Sequence, residues 1–119
     1  LTLVGEAAEA LVRRGVCAKA TRVEEAPECT LVYCRGSGVG DLLVAIAAHG
    51  DWLYAKTVPE SLVKPYMWHC SDVFYNPYGL YSFERSVDAL AEKIRGKLPR
   101  LRAQERLAHH RLAGLGEAP

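Results

Sequence analysis

A chain of 119 residues with a net charge of +1 has the length of one domain, too short for two cores of ordinary size. Apolar residues make up 50% and charged residues 24%, a globular balance that excludes a disordered or fibrous chain. No apolar run reaches the roughly 18 residues of a membrane span and no secretory leader pattern stands at the start, so a cytoplasmic protein without membrane contact is expected.

The first segment, "GEAAEALVRRG", sets Ala7, Ala8, Leu11 and Val12 at helical spacing and ends on Gly15, which predicts a helix carrying Glu6 and Glu9. "VCAKATRV" alternates and reads as a strand, and "CTLVYC" is a second, more continuously apolar one. After the glycines of "GSGVG", the run "DLLVAIAAHG" fits either a short helix or a buried strand. Paired with "DWLYAKTV" it makes a hairpin turning at His49-Gly50-Asp51, with Trp52, Tyr54, Lys56 and Val58 on one face and Leu53, Ala55 and Thr57 on the other.

"PESLVKP" lies between prolines and allows one helical turn. "YMWHCSDVFYNPYGLYSFER" is aromatic and strand-prone around Asn76-Pro77-Tyr78-Gly79, which predicts a second hairpin. "SVDALAEKIRGKL" places Val87, Leu90, Ala91, Ile94 and Leu98 on one helical stripe behind Ser86 as N-cap. Pro99 interrupts, and "RLRAQERLAHHRLAGLG" resumes helical spacing, with Leu101, Leu107, Leu112 and Leu115 as a docking or core stripe, until its glycines end it. The expected fold is α/β: a mixed central β-sheet flanked by an N-terminal helix and C-terminal helices, with residues 1–98 as the domain and 99–119 as a basic helical extension.

Charge is unevenly spread. Residues 85–111 hold eight Lys/Arg against three Asp/Glu, and the rest of the chain holds seven against eleven. A basic C-terminal segment on an acidic body suits phosphate contact, with Arg95, Lys97, Arg100, Arg102 and Arg106 as candidate nucleic-acid contacts, or else a solvated helix face. Cys17, Cys29, Cys34 and Cys70 lack CxxC spacing, which argues against zinc, and without a secretory leader they are expected as free thiols. The aromatics of the middle third serve as core, as partner interface in a homo- or hetero-oligomer, or as base-stacking surface.

"GSGVG" meets the need of a phosphate-cradling loop for glycine, but Asp41 stands where a P-loop carries its Lys and hydroxyl. A nucleotide- or cofactor-binding domain rests on these glycines alone. The alternative makes them a turn that delivers Asp41 to the head of a strand, with Lys56 in the next strand expected at the same end of the sheet.

In that second form, "SGVGDLLVAIAAHGDWLYAKT" after a helix resembles the PD-(D/E)xK nuclease superfamily, its RecB-like and Holliday-junction-resolvase-like branches in particular. The resemblance covers about half the chain. It implies an endonuclease-like fold and metal-dependent phosphodiester cleavage, with Mg²⁺ or Mn²⁺ held by Asp41 and a helical acid, Glu6 or Glu9. Lys56 would assist the attack of water. Tyr54 stands where the family carries Glu or Gln, so a metal ligand is replaced by a phenol and an active or a degenerate site are both implied.

"VGDLLVA", "HGDWLY" and "SLVKPYMWHC" also resemble, in order, elements of archaeal tRNA-splicing endonucleases. That resemblance implies His49 as general acid/base and Lys64 as transition-state cation, and a non-catalytic subunit where the catalytic Tyr has no counterpart. Both resemblances imply DNA or RNA as partner.

Overall fold

The computed structural model describes residues 3–26 and 28–117. Helix α1 (Leu3–Arg13) is followed by four strands, β1 (Lys19–Glu25), β2 (Cys29–Arg35), β3 (Leu42–His49) and β4 (Trp52–Pro59). Two 3₁₀ turns, Glu60–Leu62 and Pro65–Met67, lead to a short helix α2 (Cys70–Phe74), then strand β5 (Leu80–Glu84) and helices α3 (Val87–Gly96) and α4 (Leu98–Glu117).

The five strands form one sheet in chain order, β1-β2-β3-β4-β5, and every neighbouring pair is antiparallel. The expectation of a mixed sheet is corrected here. Parallel neighbours need a crossover of a dozen or more residues, and the first three connections are too short for one. The longer β4–β5 connection contains only single turns and five-residue α2, and brings β5 back antiparallel beside β4.

The ambiguous run after Asp41 is a strand because its pleat is buried on both sides. Leu42, Val44 and Ile46 face a core made with α1, α3 and the start of α4, including Leu11, Leu90, Ile94 and Leu101. Leu43 and Ala45 face a second core with Leu31, Val58, Val63, Cys70 and Val73 beneath α2. A strand buried on both faces reads as continuous apolar sequence, which is why periodicity left it undecided. Each fully buried Leu or Ile stabilises the fold by about 2 kcal/mol.

Ser86 accepts a hydrogen bond from the Ala89 N–H at 3.1 Å and caps α3 as its position predicts. Pro99 sits in the first turn of α4, where its missing N–H is harmless, so the helix break falls at the α3–α4 junction. Leu101 and Ala108 of α4 are buried, whereas Leu107 and Leu112 are exposed, so the leucine stripe belongs to the core only at its beginning. The side chain of Leu115 lies outside the described residues. Helix α4 runs on through Gly114 and Gly116 to Glu117 instead of stopping at the glycines.

Two further expectations are corrected. The segment before Asn76 is not the first arm of a hairpin: residues 70–74 are helical, and β5 pairs with β4. Tertiary bonds hold this short helix. Glu24 accepts from the Cys70 N–H at its first turn (3.1 Å) and bonds His69 Nδ1 (2.8 Å). The cysteines are not free thiols but form Cys17–Cys34 and Cys29–Cys70, and no free cysteine remains among the described residues. The first bridge ties the segment after α1 to β2, and the second pins α2 to the sheet. Among the described residues no helix is long and apolar enough to cross a membrane.

Candidate functional site

The glycine stretch is the connection between β2 and β3. Gly36, Gly38 and Gly40 all have positive φ, and Asp41 closes the loop by accepting from the Gly36 N–H (3.1 Å) and the Tyr33 hydroxyl (2.9 Å). Those two donors hold the Asp41 carboxyl below the usual carboxylate range, and the same bond raises the Tyr33 phenol. The loop leads into a strand, so no helix N-terminus faces it, as a phosphate loop would require.

Lys56 is not at Asp41's end of the sheet. The two-residue turn at Gly50-Asp51 sets His49 opposite Trp52, so Lys56 falls opposite Ala45. Asp41 lies four residues before Ala45, about 13 Å along the strand. Asp41 and Lys56 share the α2 side of the sheet, while Glu6 and Glu9 ride on α1, which packs on the other side. Tyr54 rests between aromatic rings, with Phe74 at 5.5 Å and Phe83 at 6.3 Å. As placed, these residues do not converge on one Mg²⁺ or Mn²⁺ ion. Among the described residues, no three His, Cys, Asp or Glu side chains form a metal-holding group.

The second predicted pair is also separated. His49 adjoins the β3–β4 turn, and Lys64 follows the far end of β4, whose seven steps from Trp52 to Pro59 span about 23 Å. Glu105 and His109, one turn apart on α4, both bond the Ser61 hydroxyl, His109 at 2.9 Å. They clip α4 to the 3₁₀ turn after β4.

What the fold does assemble is a set of aromatic rings on the α2 side of β4 and β5. Helix α2 covers the β2–β4 part of this face and leaves the β5 border open. There the register aligns Tyr54 with Phe83 and Lys56 with Tyr81. Trp52 is 45% exposed, Tyr81 46% and Phe83 53%. The Tyr81 and Phe83 rings lie 6.3 Å apart and within 20° of parallel, and Phe83 and Tyr54 lie 6.3 Å apart and within 28°. The Arg85 guanidinium stands 4.8 Å from the Trp52 ring centre.

Tyr81 is fixed at both ends. Its hydroxyl donates to the Phe74 carbonyl, and its own carbonyl accepts from Lys97 Nζ, which also donates to Ser82 Oγ at 3.1 Å. Lys97 therefore lies along the outer border of β5. Burial lowers its pKa, and the nearby charges of Lys93 and Arg100 lower it further. Arg85 thus stands on the aromatic face itself, Lys97 reaches the β5 edge from the α3 side, where Ser82 points, and Lys93 pairs on that side with Glu84 at 3.3 Å. Of the predicted nucleic-acid residues, Lys97 lies at this edge and Arg100 is exposed on α4 near it. Arg95 lies 3.7 Å from Glu92 on α3, and Arg102 and Arg106 are exposed on α4.

Lys56 lies beneath this surface, only 3% exposed. Its ammonium donates to the carbonyls of Asn76 (2.7 Å) and Phe74 (3.3 Å) and stands 4.4 Å from the centre of the Tyr81 ring. Burial lowers its pKa. Gly79 permits this packing: its φ is +95°, and a Cβ there would stand 2.5 Å from the Thr57 carbonyl oxygen and 2.9 Å from Lys56 Cε.

No protein-family model, curated protein or solved structure matches the chain. Aromatic crowding in the sequence does not by itself single out Tyr81 and Phe83. Their alternation around Ser82 was the available signal, since period two puts both rings on one face.

Proposed function

We propose that the protein works in nucleic-acid processing as a binding domain for single-stranded DNA or RNA, without metal-dependent cleavage of its own. One observation carries this reading: an open row of strand-borne aromatic rings with Arg85 over Trp52 and Lys97 at the outer strand edge. Bases have apolar π-faces and phosphates have charge, so a single strand needs stacking surfaces and cations side by side. Trp52, Tyr81 and Phe83 supply the stacking, Tyr54 supports Phe83, and Arg85 on the face and Lys97 at its edge supply the charge. The sheet fixes the rings before binding, so little ordering entropy is lost when a base stacks.

The test is equilibrium binding of a labelled single strand and of the matching duplex, with wild-type protein and Phe83→Ala. Base–aromatic stacking contributes about 1–3 kcal/mol per base, so Phe83→Ala should weaken single-strand binding by about tenfold or more. Two phosphate-contacting cations imply that log affinity falls with log salt at a slope of about −1.4 for a single strand. Equal affinity for duplex and single strand, or an unchanged affinity in Phe83→Ala, would overturn the reading. Capture of a protein partner through the same rings, with no oligonucleotide bound, would replace it by the interface reading.

A further inference from the structure

The geometry points to Lys56 as a specificity-determining residue that, through the Tyr81 ring, makes this surface prefer electron-rich bases. The inference rests on the nucleic-acid reading above and concerns which bases that surface takes.

A buried lysine is costly unless its ammonium is satisfied. Here two carbonyls near the C-terminal end of α2, those of Phe74 and Asn76, accept two of its protons. Among the described residues no carboxylate pairs with it, and the Tyr81 π-face stands in the remaining direction at 4.4 Å. The charge is therefore not neutralised by an anion, and its field falls on the ring. The Tyr81 hydroxyl bond to Phe74 and the Lys97 bond to the Tyr81 carbonyl hold that ring over the ammonium.

A cation within about 6 Å of a ring centroid draws on the negative charge of the π-face. The face turned away from the cation is then less negative than that of an ordinary tyrosine. Stacking there carries less π–π repulsion, and the gain is greatest for a base whose own π-system is rich in electrons. Among the described residues no such cation stands over the ring of Phe83 beside it. The surface therefore has one tuned position and one untuned position in a row. The Tyr81 position should favour electron-rich purines over electron-poor rings of the same area.

The test uses short oligonucleotides carrying unsubstituted purine, adenine or 7-deazaadenine at one position in an otherwise identical strand. The three bases have the same ring framework and differ in π-electron density. Wild-type affinity should rise in that order, by about two- to fivefold across the series. In Lys56→Met, which keeps the buried stem but removes the charge, the series should flatten while the strand still binds. Should that variant fail to fold, Tyr81→Leu removes the exposed ring above an intact Lys56 and should flatten the series equally.

A wild-type protein that binds all three strands alike overturns this inference and leaves the nucleic-acid reading standing. So does discrimination that survives in Lys56→Met or Tyr81→Leu. Failure to bind any of the strands overturns the nucleic-acid reading and this inference with it.

Discussion

The Cys29–Cys70 bridge offers the sharpest energetic test of how the fold is held. It closes a span of 41 residues from the start of β2 to the start of α2. Helix α2 has five residues, far below the length at which a helix is stable alone, so its place over the sheet depends on the bridge and on Glu24. In the chain-entropy account, closing a loop of that length removes about 13 cal/mol/K from the unfolded ensemble, or about 4 kcal/mol at 25 °C. The shorter Cys17–Cys34 span of 17 residues gives about 3 kcal/mol on the same basis. Domains of this size are stable by about 5–15 kcal/mol, so losing both bridges removes a large share of the total. Replacing Cys29 and Cys70 together by Ser and following urea unfolding by far-UV circular dichroism should lower the unfolding free energy by about 4 kcal/mol. A loss below about 1 kcal/mol would refute the claim that this bridge holds α2 in place.

Three other outcomes follow from single residues. Thr57 carries a buried hydroxyl with no hydrogen-bond partner among the described residues, so Thr57→Val, near-isosteric, should raise stability by about 1 kcal/mol in the same unfolding assay. Gly79→Ala combines a positive φ with a Cβ thrust against the Thr57 carbonyl and Lys56, and should cost about 3 kcal/mol, read as a lowered melting temperature. Asp41 and Glu24 both have folded-state pKa values below their ordinary ones, Asp41 through Gly36 and Tyr33 and Glu24 through His69 and Cys70. In each case the unfolded state binds more protons in acid, so their stabilisation is present above about pH 4 and is lost as pH falls through the folded values. Stability measured from pH 7 to pH 2 should fall less steeply in Asp41→Asn than in wild type.

Much of the fold was legible because alternation and capping act locally. The faces of β4 follow from its alternation, and Ser86 caps α3 because its hydroxyl reaches an N–H three residues ahead. Helix α2 was not legible: five residues are too few to show a helical period, and what fixes them are Cys29 and Glu24, 41 and 46 positions away. Nor does spacing alone reveal which cysteines pair.

The nuclease-like grouping came apart for a reason present in the sequence. A two-residue turn at Gly50-Asp51 already sets Lys56 against Ala45, well away from Asp41. Which side of the sheet α1 covers is a tertiary matter, so the separation of Glu6 from Asp41 could not be read from the chain. Of the binding surface, the rings were visible as composition. The lysine at their edge depends on how the end of α3 brings Lys97 to the border of β5, a contact no local pattern encodes.

The most direct measurement of the central claim is an amide-resolved NMR titration of the wild-type protein with a short single-stranded oligonucleotide at low salt. The account predicts saturable shifts confined to β4, β5, Arg85 and Lys97, with the Trp52 indole among the strongest. Shifts centred on the 36–41 loop, on the outer face of α4, or nowhere would contradict it.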